Sequence, residues 1–370
     1  MSGRTCVSHA IIKPTERRPA PVRTNTLANW LKKNLFSSGY SVVMTLLALW
    51  ALGVTLPGII RWAFIDAVWF TTDAETCRAA EGACWAVIPE KYRVMFFGTY
   101  PYEEQWRGGV VIFIILGLAL ISACRILTAR VLALSWVAAM VAVFTLMRGG
   151  VLGLTPVPTH QWGGLPLTLI MFVGTVIGGI PAGVLLALGR RSQMPAIRAL
   201  CVGFIEVVRG LPLVTVLFMA SLMIPLFLPQ GLTIDKYVRA QLAMTLFFAA
   251  YAAEVIRGGL QAVGRGQYEA ADTVGLNYRQ KMMHVILPQT ARIVLPSMMN
   301  EIIRAFKNTT FIGIIGLFDV LRATSTAMQD PVWIRYGIEA YLFIFLLYFV
   351  LCYAMSKYSE GMERSMKTER

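Results

Sequence analysis

The segment Glu269-Ala270-Ala271-Asp272-Thr273-Val274-Gly275, followed by Val285-Ile286-Leu287-Pro288, is a polar stretch between long hydrophobic runs. Gly275 is typical of a helix C-terminus that needs a left-handed residue. Asn277, with Gln280 three positions later, predicts the start of a second short helix, and Leu287-Pro288 predicts its end. An incidental amphipathic connector is the alternative, but it needs neither two alanines beside a carboxylate nor a glycine stop. The segment therefore predicts two short helices with a defined corner.

The composition indicates a membrane protein. Of the 370 residues, 56% are hydrophobic and 15% are charged, and the mean hydropathy is +0.62. Soluble domains are about 45–50% apolar and about 25% charged. A helix that crosses roughly 30 Å of hydrocarbon needs about 20 mostly apolar residues, and eight segments meet that length. They lie near residues 41–60, 109–128, 131–149, 165–188, 202–227, 239–258, 294–318 and 337–356. Their unbroken apolar runs favour helices over a membrane barrel.

The distribution of the formal net charge of +14 reports membrane orientation rather than nucleic-acid binding. Basic residues concentrate before the first span, after the fourth span and at the end of the chain. By the positive-inside rule we expect both termini in the cytoplasm, as eight spans require, and the Glu269 loop with them. The basic residues are Arg4, Lys13, Arg17, Arg18, Arg23, Lys32, Lys33, Arg190, Arg191, Arg198, Lys357, Arg364, Lys367 and Arg370.

Cysteine and histidine positions bear on two further kinds of site. Cys77 and Cys84 lie in the first external loop, where an oxidising compartment permits a disulfide, and two free small apolar residues are the alternative. The three histidines, His9, His160 and His284, are scattered without metal-ligand spacing. The sequence therefore predicts no metal site.

We expect four regions along the chain. The external loop of the second region is either a small ordered cap or an interfacial loop with an aromatic belt, and its composition favours the interfacial loop. The regions are a cytoplasmic basic tail and interfacial helix at 1–40, a three-span N-terminal extension at 41–159 with its external loop at 61–108, a five-span core at 160–356 with a cytoplasmic loop at 264–290, and a cytoplasmic tail at 357–370.

A Glu-x-x-Arg pattern occurs three times, and a spacing of three puts both charges on one helix face. The three pairs are Glu206 and Arg209, Glu254 and Arg257, and Glu301 and Arg304. In the predicted topology all three lie at one depth near the cytoplasmic side, where ionisable groups are costly unless they are paired or face a cavity. We expect a layer of ion pairs that ties the core helices together and moves when the pathway opens. Separate surface pairs that reach the headgroups are the alternative.

Two features predict a solute pathway. Gly210-Leu211-Pro212 breaks or kinks span five, because proline removes a backbone donor. Such a break commonly lines a pathway, and a tolerated kink is the alternative. In span seven a polar stripe suits a zwitterionic solute, whose carboxylate and ammonium both need partners, and hydrogen bonding between helices explains it nearly as well. The stripe contains Asn300, Arg304, Lys307 and Asn308, extended by Thr309 and Thr310. Pro212, Asn300, Lys307, Asn308 and Thr309 are the candidate pathway residues.

The Glu269 loop resembles the EAA loop of ABC-transporter permeases, in which a short helix docks into a groove on a separate ATPase. The family pattern is Glu-Ala-Ala, then Gly four residues after the second Ala, then Ile-x-Leu-Pro, and Val285 stands here at the Ile position. The resemblance implies ATPase coupling by a set of six residues. These are Glu269, Ala270, Ala271, Gly275, Leu287 and Pro288.

Further segments resemble the polar-amino-acid uptake branch of these permeases. They are Glu206 to Pro212, Ala253 to Ala271, and Lys307-Asn308-Thr309-Thr310, where the branch usually has Lys-Asp-Thr-Ser. The longer N-terminal region, with Asn34-Leu35-Phe36-Ser37-Ser38 and Gly82-Ala83-Cys84-Trp85, is similar to the M-type permease of the general L-amino-acid transport system. The resemblance implies an all-α polytopic membrane protein with a type I ABC importer permease-like five-helix core, a three-helix N-terminal extension and about eight transmembrane helices.

The resemblance also implies a function and a set of partners. The chain would be the permease subunit of an ATP-driven importer in the bacterial inner membrane, translocating L-amino acids that a periplasmic binding protein delivers. Its partners would be a second homologous permease in a heterodimer and an ABC ATPase dimer that binds ATP and Mg.

Other classes of function fit the sequence less well. The chain has no Gly-x-x-x-x-Gly-Lys phosphate loop and no Gly-Lys pair, so we expect it to hydrolyse no ATP and to hold no cofactor. No nucleophile–base pattern argues for an enzyme. A secondary transporter predicts an internal repeat and a midplane carboxylate, whereas the conspicuous carboxylates lie near the cytoplasmic side. A sensor or scaffold would need a signalling domain, for which the tails are too short.

Overall fold

The computed structural model describes residues 27–71, 73–124, 126–151, 153–229 and 231–368, and these residues are largely helical. The basic residues predicted before residue 27, and Arg370, lie outside them. The helices are α1 Leu27–Asn34, α2 Gly39–Ile60, α3 Ala74–Ala79, α4 Val87–Phe97, α5 Gln105–Ala123, α6 Ala129–Arg148, α7 Gly164–Arg190, α8 Pro195–Gly210, α9 Leu213–Phe218, α10 Ile224–Phe227, α11 Lys236–Ala262, α12 Arg265–Thr273, α13 Tyr278–Gln280, α14 Leu287–Asn308, α15 Val320–Ala327 and α16 Gly337–Thr368. A short strand, β1, covers Phe318–Asp319.

Within the described ranges, six helices are long and apolar enough to cross a membrane, and a bent pair brings the number to seven at most. The six are Gly39–Ile65, Tyr102–Ala123, Arg130–Arg148, Gly164–Arg190, Lys236–Ala262 and Ile334–Arg364, and the pair is Pro195–Gly210 with Leu213–Phe227. At most seven of the eight predicted apolar spans therefore meet this criterion of length and composition within the described residues. The last helix also continues through the predicted tail at 357–370 as far as Thr368.

The missing span is the one predicted at 294–318. Helix α14 ends at Asn308 instead, and a 3₁₀ turn over Thr309–Gly313 follows it. The hydroxyls of Thr309 and Thr310 donate to the carbonyls of Phe306 and Lys307, at 2.7 and 2.9 Å. Such local bonds compete with the helical backbone pattern. Helix α14 is long enough to cross a membrane, but its charged residues set it apart from the apolar spans.

The break predicted at Pro212 is confirmed. Leu211 is in an extended conformation after α8, and Pro212 precedes the first turn of α9. The helix direction bends by 109° between the two halves of the pair. Proline has no N–H to continue the ladder, and it pushes the preceding residue out of the helical region. One sequence span thus becomes two helices with different directions.

The described residues divide into two compact units, with the boundary between Ala67 and Val68. In the described part of the first unit, the Ser38 hydroxyl accepts from the Ser41 N–H at the start of α2. The Thr45 hydroxyl donates to the Leu35 carbonyl at 2.9 Å and ties α2 to the end of α1. No residue of α2 is buried in this unit. An apolar helix of this kind is covered by lipid or by other protein.

In the second unit, residues 68–71 and 73–104 contain α3 and α4 and form a folded segment, which we call the cap and which matches the first of the two predicted alternatives. A disulfide joins Cys77 to Cys84, with 5.6 Å between the Cα atoms. The Cys84 N–H donates to Oε1 of the buried Glu339 on α16 at 3.1 Å. Lys91 Nζ lies 2.7 Å from Asp330 Oδ2. The last two contacts join residues 255 and 239 positions apart in the sequence, which a composition argument cannot detect.

The sequence boundary near residue 160 does not separate two cores. One cluster of buried side chains runs from the cap through α5, α6 and α7 to α16. Trp162, which is 1% exposed, packs with tilted rings against Phe144 of α6 and Tyr237 of α11, at 5.8 and 5.4 Å between ring centroids. From residue 68 onward the predicted extension and the predicted core therefore share one interior.

Helices α7 and α11 form the central pair of this unit. A methyl group added at Gly183 of α7 would lie 2.9 Å from the Cβ of Ala252 on α11, so the small residue permits close approach. Between the helices, Gln241 Nε2 donates to the hydroxyls of Thr175 and Thr245, each at 3.2 Å. The pair thus carries both tight packing and a satisfied polar group.

We predict that the disulfide stabilises the cap. Closing so short a loop is worth about 2 kcal/mol through the unfolded chain. Replacing Cys77 and Cys84 by alanine should therefore raise the rate of proteolysis of residues 68–104 in detergent, and a reductant should do the same to the wild-type chain. Cys124→Ala, at an exposed free cysteine, is the control. Equal rates of proteolysis in the wild-type chain, the Cys77 and Cys84 double variant and Cys124→Ala would contradict the prediction.

Candidate coupling and transport site

The predicted corner after α12 is confirmed. Gly275 has φ +79°, a conformation that costs other residues about 1–2 kcal/mol. Its N–H donates to the Asp272 carbonyl at 3.0 Å, and the Leu276 N–H donates to the Ala271 carbonyl at 3.1 Å. These bonds satisfy carbonyls that the end of a helix leaves free.

The predicted start of the next helix is confirmed, and its predicted end is wrong. Asn277 and Gln280 form a capping box, with bonds of 2.9 and 3.1 Å. The helix then passes through a π-helical turn, Lys281–Ile286, directly into α14. Pro288 is the second residue after the π turn, and it has no N–H to contribute to the helical ladder at this point. The corner is therefore joined to α14 without a break.

The six predicted coupling residues divide between surface and interior. Glu269, Ala270, Gly275 and Pro288 are exposed. Ala271 is buried, and Leu287 packs against a second hydrophobic cluster of the unit, which contains Ile256, Leu260 and Ile286. Val274, beside the corner, is 77% exposed. On α12 itself, Glu269 and Ala270 are thus exposed, while the neighbouring Ala271 is buried.

The carboxylate of Glu254 on α11 is the centre of an ion-pair network. Its Oε2 lies 3.0 Å from Arg190 Nη1 of α7 and 2.9 Å from Arg209 Nη1 of α8. Its Oε1 pairs with Arg257 on the same helix. Arg190 also pairs with Glu206 of α8, at 3.2 Å. We call these five residues the Glu254 cluster.

The third predicted pair lies beside the Glu254 cluster. Glu301, which is 9% exposed, pairs with Arg304 on α14. The guanidinium groups of Arg304 and Arg209 approach the ring of Tyr251 at 4.8 and 5.6 Å. The Tyr251 ring therefore links α14 to the cluster through cation–π contacts.

The observed pairing differs from the predicted one in a specific way. Glu254 with Arg257 and Glu301 with Arg304 are paired within their helices, as the spacing indicates. Glu206 and Arg209 pair with residues of other helices. Arg190 was not among the predicted ion-pair residues, because in sequence it is one of several basic residues that follow a span. Contacts between helices decided these partners.

A narrow cavity lies next to Glu301 and Arg304. Its free volume is about 10 Å³, which is roughly the space of one water molecule. The walls combine aromatic and apolar side chains with two opposite charges, a hydroxyl and an amide. The lining residues are Thr175, Leu213, Met244, Phe247, Phe248, Tyr251, Glu301, Arg304, Ala305 and Asn308. The arrangement suits a zwitterion chemically, and the cavity has to widen before it can admit one.

The predicted pathway residues are not all brought together. Asn308 lines the cavity. Pro212 precedes the lining residue Leu213, whereas Asn300 and Lys307 are exposed away from it. Thr309 is fully buried, with its hydroxyl on the Phe306 carbonyl. Thr175 and Tyr251 also line the cavity. Each is a single polar residue within an apolar run, so the sequence pattern did not single it out.

No group of three or more His, Cys, Asp and Glu in the described ranges could hold a metal ion. The carboxylates near the cavity are paired with arginines instead.

We predict that Gly275→Ala opens the corner, because alanine resists the left-handed conformation by about 1–2 kcal/mol. Hydrogen exchange at the Leu276 amide should become about 5- to 30-fold faster. Gly266→Ala is the matched control, since a methyl group at this helical glycine meets no atom within 4 Å. Unchanged exchange in Gly275→Ala would show that the corner tolerates a side chain.

We predict that Glu254→Gln destabilises the protein more than Glu206→Gln does. The substitution leaves three arginines without their common carboxylate, and the Glu254 side chain is 17% exposed against 54% for Glu206. We expect a loss of roughly 2–3 kcal/mol at Glu254 and less than about 1 kcal/mol at Glu206. Thermal unfolding in detergent measures both. Equal losses would show that Glu254 is not the centre of the network.

Comparison with known proteins identifies the family. A profile described as "binding-protein-dependent transport system inner membrane component" matches residues 179–367. The chain is 43% identical to the inner membrane amino-acid ABC transporter permease protein YhdY of Escherichia coli (strain K12), over 95% of this chain and 96% of that protein.

Two further matches have similar descriptions. The glutamate/glutamine/aspartate/asparagine transport system permease protein BztC of Rhodobacter capsulatus is 34% identical over the full length of both chains. A crystal structure of an amino acid ABC transporter with histidines is 32% identical, covers 55% of this chain and 92% of that chain, and has a TM-score of 0.49. On the strength of the profile and the full-length relatives, the chain belongs to the family of binding-protein-dependent transport system inner membrane components.

Proposed function

We propose that this protein is the transmembrane permease subunit of an ATP-driven ABC importer for L-amino acids. Family membership and the near full-length likeness to YhdY support this proposal. In this arrangement a periplasmic binding protein delivers the amino acid, and a separate ATPase supplies the energy through α12 and the corner at Gly275.

The observation that carries the proposal is the exposed helix α12, joined by a defined corner to the helix that lines the cavity. Glu269 and Ala270 are exposed, which supports a role for them in docking. The backbone from Asn277 continues through the π turn to Glu301 and Arg304. A displacement of α12 therefore has a continuous path to the cavity, and a rigid helix transmits displacement along its axis.

The proposed topology has eight membrane crossings. Six are the apolar helices, one is the bent pair α8 to α10, and the eighth is the charged helix α14. An even number puts both termini on the same side, and the positive-inside rule makes that side the cytoplasm. The corner at Gly275 is then cytoplasmic as well, as ATPase docking requires.

The transport step follows from this arrangement. Closure of the ATPase pair on binding nucleotide would draw the coupling loop of this chain toward the equivalent loop of the second permease. This movement would displace α12 together with α14. The Glu254 cluster and the Tyr251 contacts would rearrange, since they join α7, α8, α11 and α14. The cavity would widen, and Glu301 and Arg304 offer opposite charges to the ammonium and carboxylate of an amino acid.

The partners are a second permease in a heterodimer, an ABC ATPase dimer and a periplasmic amino-acid-binding protein. ATP and Mg bind to the ATPase, since this chain lacks a phosphate loop. The names of YhdY and BztC support amino acids as the substrate class, and the BztC name includes acidic residues and their amides.

Two measurements test the proposed function. We expect deletion of this chain to abolish uptake of labelled L-amino acids in cells that retain the other subunits, and its return to restore uptake. We also expect an ATPase to copurify with the wild-type chain and to be lost with Glu269→Ala. Glu90→Ala, at an exposed glutamate of the cap, is the control and should retain the ATPase. Normal uptake without this chain would refute the proposal.

A further inference from the structure

A few polar side chains of α12 make its hydrogen bonds and ion pairs to the rest of the unit. Asp272 pairs with Lys281 in the π turn, and Gln267 accepts from Gln289 of α14 at 2.9 Å. Both contacts reach the segment that follows α12 along the chain. Among the hydrogen bonds and ion pairs found in the described ranges, those of Tyr268 join α12 to α7 and α11 instead.

The hydroxyl of Tyr268 makes two hydrogen bonds of different kinds. It donates to the Leu260 carbonyl near the end of α11 at 3.1 Å, and it accepts from Arg191 Nη1 after α7 at 3.1 Å. The Arg191 guanidinium also lies 5.5 Å from the centre of the Tyr268 ring. Leu260 is 1% exposed, so one of these anchors is in the core.

The two anchors of Tyr268 belong to the helices that carry the Glu254 cluster. Arg191 adjoins Arg190, which pairs with both Glu206 and Glu254. Leu260 lies three positions after Arg257, on the same face of α11. The hydroxyl thus fastens the ends of α7 and α11 to α12, beside the point where charged side chains hold them together.

An open cleft of about 390 Å³ lies between α12 and the ends of α7 and α11, and Tyr268 and Arg191 are both in its wall. The docking residues Glu269 and Ala270 are exposed, whereas the Tyr268 side chain is half-buried against the second hydrophobic cluster. Docking and inward contact are therefore made by different residues of one short helix.

We propose that Tyr268 is a positioning residue, through which displacement of α12 by the ATPase reaches α7, α11 and the Glu254 cluster. This inference rests on the proposed function and adds a lateral route to the backbone route through α14. A phenyl ring at this position keeps the packing and the stacking but can neither donate to Leu260 nor accept from Arg191. Removal of the hydroxyl alone therefore isolates the route.

The test compares transport with ATP hydrolysis in proteoliposomes that hold the complete importer and its binding protein. With Tyr268→Phe we expect the ATPase to copurify and hydrolysis to continue, because the docking residues are unchanged. The amount of amino acid transported per ATP should fall at least about threefold, as expected for loss of a hydrogen bond. A variant that transports the wild-type amount per ATP would overturn the inference.

Tyr100→Phe is the matched control. Its hydroxyl also donates to a backbone carbonyl, that of Met147, at 3.0 Å, far along the chain from α12. We expect this variant to transport the wild-type amount per ATP. An equal fall in both variants would mean that loss of a tyrosine hydrogen bond acts through general stability, which would also overturn the inference.

A second variant examines the same contact from α7. Arg191→Gln, at an exposed side chain, should lower the transport per ATP as Tyr268→Phe does, and the double variant should lose no more than either single one. Additive losses would overturn the inference. If Tyr268→Phe fails to assemble, Arg191→Gln decides alone. A wild-type complex without transport would instead refute the proposed function.

Discussion

The arrangement of the transport core depends on one carboxylate, that of Glu254, which holds arginines from α7, α8 and its own helix. Two oxygens serve three guanidinium groups, so loss of this one carboxylate would remove an ion-pair partner from all three arginines at once. In a partly buried site the loss of such a partner is costly, because desolvated charges have no water to replace it. The helices around Glu254 are therefore constrained to move together or to exchange partners together.

The corner at Gly275 and the π turn before Pro288 connect α12 to α14, which lies beside the Glu254 cluster. A left-handed glycine sets the angle between α12 and α13, and the π turn carries the chain past a proline without ending the helix. Interruptions of this kind often mark functional positions in helices. Here the segment from Asn277 to Ile286, which the sequence suggests is a separate short helix, continues directly into α14.

The cap and the following helices serve a different physical purpose. Their buried side chains continue the interior of the core, and the disulfide, Glu339 and the Lys91–Asp330 pair hold the cap in place. The Lys91 ammonium lowers the pKa of the Asp330 carboxyl. This pair therefore contributes stability above the ordinary pKa of aspartate, and its contribution is lost as the pH falls through the lowered value.

Neighbouring residues were enough to predict the apolar helices, the corner at Gly275, the capping box at Asn277 and the break at Pro212. Each depends on residues within a few positions of one another, or on the length of an apolar run. Contacts between distant residues were needed to establish that Glu206 and Arg209 pair with other helices, that the helix continues past Pro288, that the cap is folded and that Asn308 lines the cavity while Thr309 does not. These outcomes follow from the packing of helices far apart in sequence, because helix rotation and approach select the partner.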